Sequence, residues 1–131
     1  GLSVMIVDDE PDVRVVIVAM LEIRGARVIA AASAAEAIEM LSNATNGALP
    51  DVLVSDLAMP GEDGFKLIQR VRRMGPERGG NIPAIALTAY ARSEDSTRVL
   101  AAGFQRHLAK PVEPSSLAVA VASLASPPAK A

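Results

Sequence analysis

The stretch DVLVSDLAMPGEDGFKLI, residues 51–68, decides the fold of this chain. Its first six residues are mainly aliphatic and end on Asp56, which predicts a short buried strand. A turn rich in Gly, Pro and acidic residues follows. Phe65, Leu67 and Ile68 then recur at the spacing of a helix that buries one face. A buried strand, a polar turn and an amphipathic helix together make one β-α unit.

The same unit recurs on both sides of this stretch. The predicted strands cover residues 2–7, 27–32, 51–56, 84–88 and 104–109. The predicted helices begin at Pro11, Ala34, Phe65, Ser93 and Pro114. Ser33 and Glu36 have the spacing of a capping box at the start of the second helix. Gly25 and Gly103 are stop signals at the ends of the first and fourth helices.

Five β-α units in a row predict a parallel sheet with helices on both faces, because strands of continuous apolar character need cover on both sides. Right-handed crossovers then give a doubly wound α/β sandwich. The chain has about half the length that a closed (β/α)8 barrel requires. We expect residues 1–125 to form one domain and residues 126–131 to form a Pro-rich tail.

The composition limits the classes of function. Half of the residues are apolar and only three are aromatic, so the core must be aliphatic. The net charge of -2 provides no basic patch, and we expect this domain to contact neither nucleic acid nor membrane. The chain has no cysteine, which excludes disulfides, thiolate metal sites and cysteine nucleophiles. That absence is compatible with the cytoplasm, where we expect the domain to lie.

In an open parallel sheet the functional site lies beyond the carboxyl ends of the strands. The polar side chains that follow the predicted strands at that end are Asp8, Asp9, Glu10, Asp56, Thr88 and Lys110. Taken singly, each has an ordinary structural explanation: acids cap helices and form turns, threonine favours strands, and lysine is commonly a solvated surface charge. Their arrival at one edge of the sheet favours a shared site.

The chemistry of such a site follows from its charges. Closely packed carboxylates repel one another, so a positive charge must offset them. Lys110 supplies one charge, and a hard divalent cation such as Mg²⁺ would supply two more. A carboxylate with these neighbours suits phosphoryl transfer as the nucleophile, while the cations neutralise the transferring oxygens. The hydroxyl of Thr88 would hydrogen-bond a new phosphoryl oxygen and report its presence to the next helix.

The chain resembles the receiver domain of two-component response regulators over essentially its whole length. The matching stretches are VMIVDDEPDVR (residues 4–14), DVLVSDLAMPGEDGFKLI (51–68), PAIALTAYA (83–91) and HLAKPV (107–112). The resemblance implies a flavodoxin-like (βα)5 sandwich with a five-stranded parallel sheet in the order 2-1-3-4-5. Motifs as short as DDE or KP are weak by themselves, but the four stretches together are highly specific.

The resemblance also implies roles for the residues at the sheet edge. Asp56 matches the phosphoacceptor, and Asp8 and Asp9 match the acidic pair that binds Mg²⁺. Asp9 is expected to be the more direct ligand, with Asp8 acting partly through water. The backbone carbonyl of Ala58 matches the third protein ligand, beside Asp56 itself.

Other matching positions would bind the phosphoryl group or respond to it. Lys110 matches the lysine that contacts the phosphoryl group, and the peptide before Pro111 is expected to be cis. Thr88 matches the switch hydroxyl, and Ala89 follows it as a further switch or modulating position.

Two positions depart from the family's commonest pattern or carry an unusually bulky side chain. The switch position before the lysine is usually Tyr or Phe, but here it is His107, which adds a titratable ring. The alternative is that His107 is simply a half-exposed residue of an edge strand. Tyr90 is bulky, and we expect it to shield the phosphoryl group and lengthen its lifetime.

The resemblance implies a switch that accepts a phosphoryl group from a histidine kinase or histidine phosphotransfer domain and then slowly removes it. The face made by the fourth helix, fifth strand and fifth helix would change its binding preference, and a weak homodimer is compatible with this. The stretches GEDGF, IPAIALTAYAR and GFQRHLAKPV look most like receivers at the C-terminal end of hybrid sensor histidine kinases. A stand-alone receiver, or one cut from an output-domain regulator, is the alternative.

Functions of other classes fit the motifs less well. A haloacid dehalogenase-like phosphatase also uses an aspartate nucleophile, but its DxD motif follows the first strand. A receiver-like domain that only binds partners would be expected to lack an acid, the lysine or the threonine. A flavodoxin-like FMN site would need a loop rich in Ser, Thr and Gly after the first strand, where this chain has acids.

Overall fold

The computed structural model describes residues 2–44, 49–59, 61–76, 79–89 and 93–125, and for residues 93–96 it describes the backbone alone. The strands are β1 Ser3–Val7, β2 Arg27–Ala31, β3 Val52–Asp56, β4 Ala84–Thr88 and β5 Arg106–Ala109. The helices are α1 Pro11–Glu22, α2 Ala34–Asn43, α3 Gly64–Arg72, α4 Ser93–Ala102 and α5 Pro114–Ala125. Among the described residues, no helix is both long enough and apolar enough to cross a membrane.

The five strands form one parallel sheet in the order β2-β1-β3-β4-β5, and the predicted fold and strand order are confirmed. β3 lies at the centre, and all five of its residues are buried. A central strand of a sheet covered on both faces has no solvent side, which is why β3 begins with three aliphatic residues, Val52–Val54.

Alternate residues of the inner strands face two separate aliphatic cores. Leu53 and Ala86 belong to the core on the side of α2, α3 and α4, which also holds Phe104. Val54 and Ile85 belong to the core under α1 and α5. This alternation places the last residues of the strands at defined positions, because both faces of the sheet are packed.

The helix boundary signals act nearly as the sequence indicates. The Ser33 hydroxyl accepts a hydrogen bond from the backbone N–H of Glu36 at 3.1 Å. The Glu36 carboxylate accepts from the N–H of Ala32 at 2.5 Å, one residue earlier than in an ideal capping box. Gly25 and Gly103 both have positive φ, 90° and 124°, which allows the chain to turn after α1 and α4.

A few predicted boundaries are wrong by one or two residues. β1 begins at Ser3 instead of Leu2, and β2 ends at Ala31 instead of Ala32. β3 begins after Asp51, whose carboxylate accepts from the N–H of Ser3 at 2.9 Å. The structure also starts β5 two residues later and α3 one residue earlier than predicted. Strand and helix ends depend on hydrogen bonds to neighbours that local pattern does not contain. The predicted tail, residues 126–131, lies outside the described residues.

Arg72, at the end of α3, connects the chain segments at the amino-terminal edge of the sheet. Its Nε and Nη2 donate to the Gly103 carbonyl at 3.1 and 2.7 Å. Its Nη1 donates to the carbonyls of Gly80 and Ile82 at 3.0 and 2.7 Å, and Nη2 also donates to Gln105 Oε1 at 3.2 Å. Gly80 and Ile82 precede β4 and the other two acceptors precede β5. One side chain therefore links the segments before both strands to α3.

Candidate functional site

The carboxyl ends of four strands bring the predicted polar residues to one edge of the sheet. Asp8 follows β1, Asp56 ends β3, Thr88 ends β4 and Lys110 follows β5. β1 and β3 are neighbours, and the chain winds outward from them in opposite directions. The site therefore lies at the point where the strand order reverses, where open α/β sheets bind their ligands.

Three carboxylates lie close together at this edge. Asp8, Asp9 and Asp56 each offer one oxygen atom, and these atoms all lie within 4.8 Å of one another. Asp8 is completely buried and Asp56 is 4% exposed, whereas Asp9 is partly exposed. Water therefore screens the repulsion between Asp8 and Asp56 only weakly.

Lys110 lies between the two buried acids. Its Nζ is 3.1 Å from Oδ2 of Asp8 and 3.2 Å from Oδ2 of Asp56. The Glu10 carboxylate is the next nearest acid, with Oε1 4.0 Å from the same Nζ. Because β5 is the edge strand and β1 lies three strands away, with β3 and β4 between them, this lysine spans the width of the site.

Backbone hydrogen bonds hold the acidic side chains from behind. Asp8 Oδ1 accepts from the N–H of Glu10 at 2.9 Å, and Asp56 Oδ1 accepts from the N–H of Ala58 at 3.3 Å. The guanidinium of Arg14 donates to the backbone carbonyl of Asp8 at 2.7 Å. These bonds orient the carboxylates locally, so the site is formed before any ligand contributes to it.

The backbone of Asp56 is held by two residues for which sequence reasoning did not predict this contact. The hydroxyl of Ser55, fully buried, donates to the Asp56 carbonyl at 2.9 Å. A Cβ at Gly64 would lie 2.4 Å from the same carbonyl oxygen and 2.9 Å from the Cα of Leu57, so α3 can approach β3 only through a glycine. A Gly at the first turn of a helix beside a strand-end acid is the signal that could have identified this contact.

The environment changes the pKa values of both charged partners. Burial raises the pKa of Asp56, Lys110 opposes this, and the nearby charge of Asp8 adds to the rise. Burial lowers the pKa of Lys110, but hydrogen bonds and charges from Asp8 and Asp56 outweigh it, so the lysine pKa lies above its ordinary value. The protein side chains alone therefore leave the site short of positive charge.

The structure describes all but one of the remaining predicted residues. Thr88 is on the strand next to β3, and its backbone carbonyl accepts from the Lys110 N–H at 2.8 Å. Ala89 is exposed directly after it. His107 lies opposite Ala86 of β4, and its buried Nε2 has no hydrogen-bond partner among the described residues. The peptide between Lys110 and Pro111 is cis. Tyr90 lies outside the described residues.

The donor set suits a hard divalent cation. Three carboxylates within reach of one point, two of them buried, supply oxygen ligands of the kind that Mg²⁺ prefers. Asp9 is the most exposed of the three, so it could bind an ion that keeps several of its waters. A cation there would also offset the charge that Lys110 leaves uncompensated.

Comparisons with known proteins agree with this geometry. The family model described as response regulator receiver domain matches residues 4–122. An uncharacterized 14.6 kDa protein encoded in the sodA1 3′ region of Leptolyngbya boryana is 48% identical over 116 residues, 88% of this chain and 84% of that protein. Hybrid signal transduction histidine kinase D of Dictyostelium discoideum is 35% identical over 115 residues, 86% of this chain but 7% of that protein. The structure of Vibrio cholerae chemotaxis protein CheY4 superimposes with a TM-score of 0.83 at 28% identity, covering 94% of this chain and 98% of that one.

Proposed function

This chain belongs to the response regulator receiver domain family, and we propose that it carries a phosphoryl group on Asp56 as the signal in a two-component phosphorelay. Receiver domains of this family interact with histidine kinases or phosphotransfer domains, and they generally bind Mg²⁺ at an acidic pocket. Membership of the family also removes the haloacid dehalogenase-like phosphatase as a competing assignment. The donor we propose is a phosphohistidine on a kinase or a histidine phosphotransfer domain.

One observation carries this proposal: the Lys110 ammonium lies 3.1 Å from Asp8 and 3.2 Å from Asp56. These two carboxylates and that of Asp9 each have an oxygen within 4.8 Å of the other two. A purely structural acid would not need a second and third acid nearby. A nucleophilic carboxylate that must accept a dianionic group needs positive charge positioned in advance, and a lysine together with a divalent cation provides it.

The transfer step uses few protein groups. A carboxylate oxygen of Asp56 attacks phosphorus, and an O–P bond forms as the P–N bond of phosphohistidine breaks. The electron pair of that bond leaves with the imidazole nitrogen, and Asp56 becomes an acyl phosphate. Lys110 neutralises a phosphoryl oxygen throughout. Water later attacks the same phosphorus, the P–O bond to Asp56 breaks and its electron pair returns to the carboxylate, so inorganic phosphate leaves and the domain slowly removes its own signal.

We propose Asp8, Asp9, Asp56 and the backbone carbonyl of Ala58 as the residues that hold Mg²⁺. Both oxygens of Asp8 already accept hydrogen bonds, from Glu10 and from Lys110. That occupancy supports a more direct role for Asp9 and a water-mediated role for Asp8. When bound, the cation supplies charge neutralisation for the transferring oxygens.

The response to phosphorylation would start at Thr88 and Ala89 and reach the face of α4, β5 and α5. We propose that the Thr88 hydroxyl moves toward the phosphoryl group and that His107 repacks with it. The buried Nε2 of His107 has no hydrogen-bond partner among the described residues, and this supports the idea that the ring is not firmly held in one position. The two arrangements pre-exist, and the new charge shifts their populations. Tyr90 would shield the phosphoryl group from water.

The setting of the domain in its pathway stays a proposal. The Dictyostelium relative is a hybrid kinase in which a receiver is a small part, which supports a hybrid-kinase receiver here. The Leptolyngbya relative is a 14.6 kDa protein matched over most of its length, which supports a stand-alone receiver. In either setting we propose one domain over residues 1–125 with a tail at 126–131. It would be cytoplasmic, with protein partners and at most weak self-association.

Labelling with acetyl phosphate tests the acceptor. We expect the wild-type chain to gain one phosphoryl group in Mg²⁺, to gain none in EDTA, and to lose the group in alkali as acyl phosphates do. Asp56→Asn should abolish labelling, because an amide is a poor nucleophile. The matched control is Asp12→Asn, an exposed acid on α1 that should label normally. Full labelling of Asp56→Asn, measured by intact-protein mass spectrometry, would overturn the assignment.

A further inference from the structure

Glu10 stands at the entrance to the site and contributes a charge that none of the proposed steps uses. We propose that Glu10 is a specificity-determining residue, whose carboxylate disfavours small dianionic phosphodonors and so reserves Asp56 for donors of lower net negative charge. This inference rests on the proposed phosphorylation of Asp56. It concerns which donor reacts, and the acceptor is unchanged by it.

The position of Glu10 is not explained by a structural role. It is the N-cap residue of α1, yet its side chain makes no capping hydrogen bond. The side chain is 64% exposed and points its Oε1 to within 4.0 Å of Lys110 Nζ. An N-cap position normally uses its side chain on the first turn of the helix. This one is directed toward the lysine instead.

Glu10 and Lys110 share the rim of an open groove. The groove is also lined by Val13, Pro111 and Val112, and it runs between α1 and the segment after β5. Asp56 does not line this groove, but Lys110 connects the two, because its Nζ lies 4.0 Å from Glu10 Oε1 and 3.2 Å from Asp56 Oδ2. The other acids within 4.0 Å of this ammonium among the described residues are Asp8 and Asp56, and both are buried.

Glu10 would slow a small anionic donor in two ways that act in the same direction. It repels the incoming phosphate directly, and a dianion feels twice the force that a monoanion feels at the same distance. It also competes with the phosphate for the charge of Lys110, the nearest cation to Asp56 in the described structure. The guanidinium of Arg14 is bonded to the backbone carbonyl of Asp8 and does not replace that charge at the rim.

Two small donors of different charge separate this electrostatic effect from general damage. With acetyl phosphate, a dianion near pH 7, the O–P bond to Asp56 forms as the P–O bond breaks and acetate leaves with the electron pair. With phosphoramidate, a zwitterion of net charge -1, the P–N bond breaks and ammonia leaves with the pair, already carrying its protons. Both reactions give the same acyl phosphate, so the ratio of their rate constants reports the donor alone.

The experiment compares Glu10→Gln, Glu10→Lys and wild type in saturating Mg²⁺. At 0.1 M ionic strength we expect Glu10→Gln to react about threefold faster with acetyl phosphate and less than about twofold faster with phosphoramidate, as a screened unit charge predicts. Glu10→Lys should increase the preference for acetyl phosphate further. At 1 M salt the differences should shrink toward one, because the screening length falls to about 3 Å.

Asp12→Asn is the matched control. Asp12 is an exposed acid on the first turn of α1 and lines the same groove, but it is not among the acids near Lys110. Its removal changes the net charge equally and should leave the ratio of the two rates close to that of wild type. A second readout needs no donor: loss of the Glu10 charge should weaken Mg²⁺ binding, measured by calorimetry, while it speeds acetyl phosphate.

The outcomes distinguish this inference from the function on which it rests. If neither donor labels the wild-type chain, phosphorylation of Asp56 fails and the role of Glu10 fails with it. If wild type is labelled but Glu10→Gln changes both donors by the same factor, or changes neither, Glu10 does not select donors and the phosphoacceptor assignment stands. An equal shift in Asp12→Asn would likewise overturn the local role of Glu10.

Discussion

The two ends of the sheet hold positive charge in opposite ways. At the amino-terminal end, Arg72 donates five hydrogen bonds to neutral oxygens, and no carboxylate pairs with it among the described residues. At the carboxyl end, Lys110 lies between the carboxylates of Asp8 and Asp56 with Glu10 close by. The first arrangement satisfies every acceptor it touches, whereas the second leaves negative charge uncompensated.

The charged groups at the amino-terminal end stabilise the fold, whereas those at the carboxyl end form the candidate site. Carbonyl groups that would otherwise be unpaired near the strand entrances gain charged donors from Arg72, which stabilises the fold. Burial of carboxylates beside one another destabilises the fold, but it provides the charge environment that the proposed cation and phosphoryl group would need. We therefore expect substitutions at the amino-terminal end to lower stability, and removal of the central acid at the other end to raise it.

The largest effect on stability is expected at the amino-terminal end. Arg72→Met keeps most of the aliphatic stem but removes all five donors, so we expect the free energy of unfolding to fall by about 3 kcal/mol in urea titrations. Arg73→Met, at the exposed next position, is the control and should change it by less than about 0.5 kcal/mol. Equal stability of the two variants would show that the Arg72 hydrogen bonds contribute little.

The next effect concerns the contact between α3 and the acceptor strand. Gly64→Ala places a methyl group 2.4 Å from the Asp56 carbonyl oxygen, a backbone atom that cannot move aside cheaply. We expect a loss of about 2 kcal/mol together with slower labelling of Asp56. Gly61→Ala has positive φ and open space around its Cβ, so it should cost about 1 kcal/mol from backbone strain alone. Thermal unfolding of both variants measures the difference.

The smallest effect has the opposite sign. The folded pKa of Asp56 is raised, so the folded state favours the protonated acid, and the resulting stabilisation at low pH is lost as pH rises through the folded pKa. Without divalent cations, Asp56→Asn should therefore be more stable than wild type at pH 7 by about 1 kcal/mol. The gain should disappear as the pH falls toward about 4, near the ordinary aspartate pKa.

Addition of Mg²⁺ completes this comparison. We expect Mg²⁺ to bind the folded wild type, whose stability should then rise with the Mg²⁺ concentration, and Asp56→Asn should respond less. Urea titrations of both proteins with EDTA and with excess Mg²⁺ give the four values needed. If Asp56→Asn were less stable than wild type at pH 7 in EDTA, the acid would be a structural residue that Lys110 fully compensates.

Much of this molecule follows from local pattern. Continuous apolar runs ending in acids, followed by helical periodicity, are enough to place all five strands and helices within two residues. The strand order and the site at the carboxyl edge follow from the resemblance of four motifs and from the general behaviour of parallel sheets. The identity of Asp8, Asp9, Asp56 and Lys110 as neighbours needs only that topology, because each lies at or within two residues of the carboxyl end of a strand.

Contacts between distant segments had no such signal. Arg72 reaches Gly103, 31 residues away, and nothing near either residue marks them as partners. Ser55 and Gly64 look like an ordinary strand residue and turn residue until the Asp56 carbonyl is found between them. The sequence likewise gives no sign that the Glu10 side chain lies near Lys110 and does not cap its own helix.

Residue order and periodicity thus suffice for the five β-α units and for the groups that end or follow their strands, because burial of continuous apolar runs dictates both, whereas the strand order came from the resemblance. Tertiary structure alone decides how charge is distributed over them. Lys110 lies between Asp8 and Asp56, and Glu10 is near the same ammonium. Both facts depend on distances of 3 to 4 Å between this ammonium and carboxylates that follow or end other strands. Coulomb energies change most steeply over such distances, and no local pattern encodes them.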